Sequence, residues 1–143
     1  MHEILFRGKR TDNGEWIYGD LRHISDLRGG YNPHIVDNTN GRNNSVTGLE
    51  IIPETVGQFT GLTDKNGVRI FEGDICRFKR FNDVHVGKIV FNVTTASFVM
   101  WYQSIVGVYG EKATHKMLLS VCDNIEVIGN IHDNPELLEN SSL

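Results

Sequence analysis

The sequence predicts an all-β protein whose strands are mainly antiparallel. Aromatic and β-branched residues occur in short runs separated by turn-forming residues, which is typical of strands. The chain of 143 residues has 15 glycines and only 3 prolines, a ratio that favours a meander with tight turns and bulges. With 39% hydrophobic and 22% charged residues, the composition is that of a globular protein that folds by itself. We expect a single core, or one core with a small satellite lobe.

Residues 1–60 are predicted to form an N-terminal β segment or small lobe. Its strands are expected in the runs EILFRG, EWIYGDLRHI, HIVD, LEII and TVGQFT. The pairs Asn13-Gly14, Asn40-Gly41 and Asn66-Gly67 tolerate positive φ, and the first and last lie between apolar runs as hairpin turns do. Residues 37–48, DNTNGRNNSVTG, contain almost no apolar side chain and are predicted to be a mobile loop.

Residues 61–143 are predicted to form a β-barrel-like core, either separate from the first segment or continuous with it. Strands are expected in ICRFKRF, VHVGKIVF, SFVMWYQ and IEVIGNI, after a turn at Gly73 and Asp74. This order looks like the first half of an SH3-like or related small barrel, in which Gly87 would bulge and bend its strand. The run ATHKMLLSV has the propensity for one or two helical turns, although KMLLSV equally suits a strand entering the core.

The run DNPELLEN predicts a short helix near the C-terminus. Asn134 can cap it, Pro135 suits the first helical position, and Glu136 complements the positive end of the helix dipole. We expect this helix to press Leu137 and Leu138 onto the sheet.

Strand alternation gives the run ICRFKRF two different faces. Cys76 and Phe78 share one face, whereas Arg77 and Lys79 share the other. In the next strand, His85 falls on the face opposite to the valines that flank it. Cys76 is therefore expected to point inward.

The segment 77–88 is a basic ribbon in a chain whose net charge is −4. Its cations, with aromatic residues between them, suit a surface that tracks phosphates or stacks on bases. The acidic balance of the whole chain opposes nonspecific nucleic-acid binding, and lysine and arginine also protect an exposed ribbon from edge-to-edge pairing. Both interpretations stay open for the four cations, Arg77, Lys79, Arg80 and Lys88.

An aromatic run follows the ribbon, and alternation would leave at least one of Phe98, Trp101 and Tyr102 outside the core. Exposed rings of this kind are typical of a surface that binds another protein. The residues predicted to contact a protein partner or a nucleic acid are Arg77, Lys79, Arg80, Phe81, Lys88, Trp101 and Tyr102.

The sequence predicts no cofactor site, metal site or catalytic cluster. The six histidines are dispersed without metal-ligand spacing, and neither GxGxxG nor GxxxxGK[ST] occurs. An enzyme built from His85, His132 and Asp133 remains as an alternative. Cys76 and Cys122 are 46 positions apart without any CxxC, so both thiols are predicted to be buried, reduced and not joined in a disulfide.

Several blocks together resemble the YopX family of small phage and prophage proteins. These are ILFRGKRTDNGEWIYGDL, IPET, VGQFTGLTDKNGVRIFEGDICRF and IEVIGNIHDNPELL. The resemblance implies a phage-derived cytoplasmic protein of mainly β structure whose molecular role is not established, and it supplies no catalytic residues. The stretches 29–48 and 103–116 lie outside the matching blocks.

These observations favour a non-catalytic binding module that engages a host or phage protein. The absence of a signal peptide and of any run of 18 apolar residues predicts a cytoplasmic protein without a membrane partner. The partner is unknown, a homo-oligomer stays open, and the alternatives are a nucleic-acid-binding module and, less favoured, an enzyme.

Overall fold

The computed structural model describes residues 2–37 and 48–139. The chain divides into two compact units, residues 1–61 and 62–143. The all-β prediction is confirmed, because the described elements are eleven antiparallel strands, two 3-10 turns and one short helix. No helix in the described part of the chain is long and apolar enough to cross a membrane. Residues 38–47, which include most of the predicted mobile loop and the Asn40-Gly41 pair, lie outside the described residues. The independent folding of residues 1–60 stays a prediction.

The first sheet has the strand order β4-β3-β2-β1-β5-β6. Its strands are β1 Phe6–Lys9, β2 Trp16–Ser25, β3 Tyr31–Val36, β4 Leu49–Glu50, β5 Gly57–Thr63 and β6 Arg69–Phe71, with a 3-10 turn at Pro53–Thr55. Strand β5 ends in the second unit, where β6 also lies. The predicted hairpin turns are confirmed, since Gly14 and Gly67 have φ of 71° and 80° between paired strands.

The core of the first unit is small. Among the described residues of this unit, its buried hydrophobic side chains are Leu5, Ile35, Ile51 and Phe59. Arg7 is also buried, with 6% of the residue exposed, and its guanidinium carbon lies 4.7 Å from the ring centroid of Trp16.

The second sheet has the strand order β10-β9-β8-β7-β11. Its strands are β7 Asp74–Arg80, β8 Asp83–Asn92, β9 Ser97–Val106, β10 Glu111–Leu118 and β11 Asp123–Asn130, followed by the helix α1 Glu136–Glu139. The ambiguous run ATHKMLLSV forms the end of β10 and a 3-10 turn at Leu119–Val121. Because the chain turns there, β11 crosses to pair with β7 instead of β10.

The predicted SH3-like barrel is wrong, since neither sheet closes. In the second sheet β10 and β11 are the two edges, and no pairing joins them within residues 48–139. A barrel needs bends that bring its edge strands together. Gly87 does not provide one, because it stays in register with both Cys76 and Tyr102; the irregularities of this sheet lie instead in the pairing of β11 with β7.

One face of the second sheet covers the core of the second unit. The buried side chains there include Cys76, Phe78, Ile89, Met100 and Tyr102. The predicted faces are confirmed, because Cys76 and Phe78 are buried whereas their neighbours Arg77 and Lys79 are exposed.

The short helix is present, but Asn134 does not cap it through its side chain as predicted. Its Oδ1 accepts a hydrogen bond from the backbone N–H of Asn130 at 3.3 Å, while its backbone carbonyl accepts one from the N–H of Leu137 at 3.1 Å. Leu137 and Leu138 are half-buried. A Cβ atom on Gly129 would lie 2.9 Å from Leu137 Cδ1, so the helix packs against β11 where that strand carries no side chain.

Candidate functional site

The buried aspartate of the block TGLTDKNG holds a turn. Asp64 Oδ1 accepts hydrogen bonds from the backbone N–H groups of Asn66 at 2.8 Å and Val68 at 2.9 Å. Its Oδ2 accepts one from the N–H of Val127 at 2.9 Å. Burial alone would raise the pKa of Asp64, but these three donors outweigh it and keep the pKa below its ordinary value. Asp64 is therefore an ionised structural residue that ties the β5–β6 turn to β11.

Two further polar residues of the matching blocks, Asp74 and Asn130, also accept hydrogen bonds from the backbone of turns. Asp74, from EGD, is 2% exposed, and its Oδ2 accepts a hydrogen bond from the N–H of Phe71 at 2.7 Å. In GNIHDNP, Asn130 Oδ1 accepts from the N–H groups of His132 at 3.0 Å and Asp133 at 2.9 Å. These side chains replace the partners that tight turns deny to the backbone. These polar residues of the blocks thus stabilise turns of the fold.

A cleft opens between two hairpins of the second sheet. Strands β8 and β9 are paired from Asn92–Ser97 only as far as Gly87–Tyr102, although both strands continue, to Asp83 and Val106. Each remains paired with its outer neighbour along this stretch. The β7–β8 and β9–β10 hairpins therefore separate toward their tips and enclose about 560 Å³, which we call the hairpin cleft.

A row of rings lies across the base of the hairpin cleft. The ring of Tyr102 is central: its centroid is 5.0 Å from that of Phe78, 4.9 Å from that of His85 and 4.8 Å from that of His115. The contact with His115 is stacked at 23°, and that with Phe78 is edge to face at 76°. Tyr102 is only 5% exposed, and burial raises the pKa of its hydroxyl. This row joins the core to the base of the cleft.

A serine and a histidine are hydrogen bonded in the hairpin cleft. Ser104 Oγ and His115 Nε2 are 2.7 Å apart. A serine nucleophile activated by histidine also needs a group that orients the histidine, and donors for the developing oxyanion. Within residues 48–139, the other contact of the His115 ring is its stacking on Tyr102, and no carboxylate accepts from its second nitrogen. The pair links β9 to β10, and the described residues do not extend it to a triad.

The tip of the β7–β8 hairpin presents an aromatic ring in a strained backbone conformation. Phe81 and Asn82 connect Arg80 to Asp83 with φ of 50° and 68°, the two positive values of a type I′ turn. Phe81 is 79% exposed, and the guanidinium carbon of Arg80 lies 4.1 Å from its ring centroid. Left-handed backbone is unfavourable for phenylalanine. Such strain in an exposed aromatic residue marks a candidate contact position.

The predicted contact residues do not form one surface. Arg77, Lys79, Lys88 and Trp101 lie on the outer face of the second sheet, whereas Arg80 and Tyr102 lie on the face that carries the core. Phe81 is at the tip between them.

On the outer face, Arg77 lies close to an acidic side chain, while Lys88 covers a ring. Arg77 is 3.7 Å from a carboxylate oxygen of Glu126, which also pairs with Lys65 at 3.1 Å. Lys88 Nζ lies 4.6 Å from the ring centroid of Trp101, its cross-strand partner. Part of the basic ribbon is thus neutralised.

The residues of the enzyme alternative lie at two different ends of the sheet. His85 lines the hairpin cleft, and neither His132 nor Asp133 does. His85 pairs with Phe78, while Asn130, which precedes the turn containing His132, pairs with Asp74. Four residues along β7 separate these positions, about 13 Å of strand. In the described part of the chain, no group of three or more His, Cys, Asp or Glu side chains could hold a metal ion.

Both thiols are buried and form no disulfide, as predicted from the sequence. Cys76 is fully buried, and Cys122 is 8% exposed beside the ring row. Burial raises the pKa of the Cys122 thiol from 9.0 to about 11, although the nearby Arg80 opposes this.

We predict that both cysteines react slowly with a thiol reagent in the folded protein. A rise in pKa from 9.0 to about 11 lowers the thiolate fraction of Cys122 at pH 7.5 about 100-fold. Labelling followed by mass spectrometry, with the urea-unfolded chain as the reference for full reactivity, measures this. Rapid labelling of either thiol in native buffer, or a mass two units low that reductant restores, would contradict the prediction.

Ser104 and His115 were not predicted from the sequence to belong to a site. They belong to the stretch 103–116, outside the blocks that resemble the family. A signal was nevertheless present, because Ala113, His115 and Met117 alternate with Thr114 and Lys116 as a strand requires. The pairing of His115 with Tyr102 depends on register, which this alternation alone does not give.

The fold and the cleft define a small antiparallel β protein in which two hairpins of one open sheet enclose a candidate binding site. The chain belongs to the YopX family: the family described as YopX protein matches residues 5–139. No curated protein matches the sequence. Among solved structures, the chain is similar to protein EF1440 from Enterococcus faecalis, with 24% identity and a TM-score of 0.48, over 96% of this chain and 99% of that one.

Proposed function

We propose that this YopX family member is a non-catalytic binding module that engages a host or phage protein in the cytoplasm through the hairpin cleft. One observation carries the proposal: β8 and β9 stop pairing at Gly87–Tyr102 although both strands continue beyond it. Strand edges left open in this way bind other chains unless they are covered. A cleft of about 560 Å³ is also within the range of about 300–1,000 Å³ for ligand sites.

The rim of the cleft is apolar where a partner would first touch it. Phe81, Val84 and Ile105 are 79%, 57% and 54% exposed. Val108 and Tyr109, in the turn of the β9–β10 hairpin at the same end of the sheet, are 93% and 92% exposed. Apolar side chains grouped at one end of a sheet are typical of a protein-binding surface.

A change at the hairpin tip should separate binding from stability. Asparagine adopts left-handed backbone readily, so Phe81→Asn should relieve about 1–2 kcal/mol of strain and lose about 0.5 kcal/mol of cation–π contact. We therefore expect the free energy of unfolding to rise by about 0.5–1.5 kcal/mol, measured in urea, while capture of the partner falls. A variant that is less stable and binds as well as the native protein would contradict both expectations.

Site-specific crosslinking tests the proposal directly. A photocrosslinking amino acid is placed at Ile105 in the cleft or, as the control, at Val93, which is 82% exposed in the turn at the opposite end of the sheet. Illumination in the bacterial host should give a defined adduct from position 105 and none from position 93. Equal adducts from both positions, or none from position 105, would refute binding through the cleft.

A second candidate function, binding of single-stranded nucleic acid, is favoured by one row on the outer face. Lys88, Trp101 and Lys116 are neighbours across β8, β9 and β10 in direct register, so a half-buried ring lies between two cations. A ring of this kind can stack on a base while the lysines meet phosphates.

Salt dependence distinguishes this candidate from the cleft. If Lys88, Trp101 and Lys116 bind labelled oligothymidine, the logarithm of the binding constant should fall by about 0.7 per phosphate neutralised for each unit of log salt concentration. Lys116→Gln should reduce that slope. No binding at low salt, or a slope unchanged in Lys116→Gln, excludes the row as a nucleic-acid site.

A further inference from the structure

The turn of the β7–β8 hairpin determines which backbone groups face the hairpin cleft. In a two-residue hairpin, the residues that flank the turn form a hydrogen-bonded pair, and such pairs then alternate with non-hydrogen-bonded ones. Arg80 and Asp83 are the flanking pair, so Asp83, His85 and Gly87 direct their N–H and C=O groups toward β7. Val84 and Val86 therefore direct theirs away from β7, into the cleft.

The unpaired edges of β8 and β9 that border the cleft are its two lips. The direction of the backbone groups on the β9 lip follows from the part of the ladder in which β8 and β9 are still paired. Because Lys88 directs its backbone groups toward β9, Lys88 and Trp101 are a hydrogen-bonded pair. By alternation, Gln103 and Ile105 also direct their N–H and C=O groups toward β8. Pairing of β8 with β9 has ended there, so these groups face the cleft. Both lips thus present strand edges with donors and acceptors at the spacing of an extended chain.

The charges of the cleft select the kind of chain that fits. Arg80 and Lys112 line the cleft with only one acidic residue, Asp83, although the protein as a whole has a net charge of −4. Arg80 uses one nitrogen to donate to the carbonyl of Val121 at 3.2 Å, and a guanidinium has further donors that match a carboxylate. An acidic side chain is complementary to this local excess of positive charge.

We propose that the hairpin cleft binds an extended acidic peptide segment of the partner, which adds to the open lips of β8 and β9 as a strand. This rests on the proposed function and specifies its ligand. Backbone hydrogen bonds to the lips hold the peptide, as in other cases of strand addition, and Val84 and Ile105 contact its apolar side chains. Its Asp or Glu side chains meet Arg80 on the core face of the sheet and Lys112 on the outer face, where Lys112 is the cross-strand partner of Ile105. The inserted segment restores hydrogen bonding in the sheet beyond Gly87 and Tyr102, where β8 and β9 stop pairing with each other.

Peptide selection on the full chain provides the probe. Random linear 12-residue peptides are selected on the protein, and an enriched peptide is synthesised with a fluorescein label for anisotropy titration. We expect enrichment of Asp and Glu together with apolar residues. N-methylation of any single central residue should weaken binding at least 10-fold, because successive N–H groups of the inserted strand pair with β8 and β9 in turn.

Variants of the protein identify the site. Ile105→Pro removes one N–H that faces the cleft and none that pairs with β10, so the fold should persist while affinity falls at least 10-fold. Arg80→Gln combined with Lys112→Gln should weaken acidic peptides similarly and keep both strand edges intact. Lys116→Gln, on the outer face, is the matched control and should bind as the native protein does.

Several results would overturn the proposal. These are no enrichment over selection without protein, affinity that no N-methyl group changes, or equal affinity for the native protein and the Arg80→Gln, Lys112→Gln double variant. A self-association that Ile105→Pro abolishes would assign the cleft to a second copy instead, and competition by oligothymidine would assign it to nucleic acid. Adducts at position 105 without peptide binding would overturn the strand-addition inference and leave the proposed function standing.

Discussion

Replacement of Asp64 by alanine is expected to lower the free energy of unfolding by about 3–4 kcal/mol. A hydrogen bond to a charged group contributes about 1.5–3 kcal/mol, and the contributions of three bonds to one carboxylate are not additive. Asp64 accepts from Asn66, Val68 and Val127, so its loss leaves three backbone donors without their acceptor. Urea unfolding measures the change.

Asp64→Asn is the matched control, and pH supplies a second test. The amide keeps one oxygen for Asn66 and Val68 but turns an NH₂ group toward the N–H of Val127, so we expect about half the loss seen with alanine. Because the folded protein lowers the pKa of Asp64, the carboxylate stabilises the fold above its ordinary pKa of 3.8 and ceases to do so as the pH falls through the lower folded value. The difference between native protein and Asp64→Asn should therefore shrink below pH 4. A difference that stays constant from pH 7 to pH 3 would show that ionisation is not what stabilises this turn.

Replacement of Gly87 by valine is expected to cost about 3 kcal/mol and to disturb the hairpin cleft. A Cβ atom at this position would lie 2.7 Å from the carbonyl oxygen of Trp101 and 3.0 Å from Tyr102 Cβ, so strand β9 must move. Overpacking of a buried site typically costs about 1–3 kcal/mol, and a branched side chain lies at the upper end of this range. Since Tyr102 is the centre of the ring row, near-ultraviolet circular dichroism should change as well as the unfolding midpoint.

Gly110→Ala separates the steric cost from the cost of losing a glycine. Gly110 has φ of 78° and nothing within 4 Å of an added Cβ, so its substitution should cost about 1 kcal/mol through backbone conformation alone. Gly87 has no positive φ, so the cost of Gly87→Ala is steric and should be larger. If Gly87→Ala proves the milder substitution, the close approach of β9 at this position is not a constraint on the fold.

The turn around Asp64 shows which contacts could be predicted from the sequence and which could not. The Asn66-Gly67 pair predicted a turn because both residues tolerate positive φ, and in the structure Asp64 accepts hydrogen bonds from backbone N–H groups of this turn. Its third bond, to Val127, joins positions 63 residues apart. Local chemistry predicted the turn, but the tie to β11 depends on a strand crossing that local chemistry does not encode.

The candidate site was predicted only in pieces for the same reason. Arg80, Phe81 and Tyr102 were among the expected contact residues, but so were Arg77, Lys88 and Trp101, which lie on the opposite face. Alternation assigns the residues of one strand to two faces, whereas the assignment of neighbouring strands to a common face needs their register. His115 entered the site only because β10 pairs with β9 so that His115 is opposite Tyr102.

The sequence by itself determined the all-β class, the Asn13-Gly14 and Asn66-Gly67 turns, the inward face of Cys76 and the YopX family, because each depends on side-chain periodicity, on turn chemistry or on motifs contiguous in the chain. Only the tertiary structure decided that the second sheet stays open, that β11 pairs with β7, and that β8 and β9 separate beyond Gly87 and Tyr102. Strand pairing is a choice among competing long-range partners, and it is settled by the packing of whole faces and by the twist of the sheet. The hairpin cleft lies where packing and twist end the pairing of β8 with β9. No single residue type in the sequence marks that point.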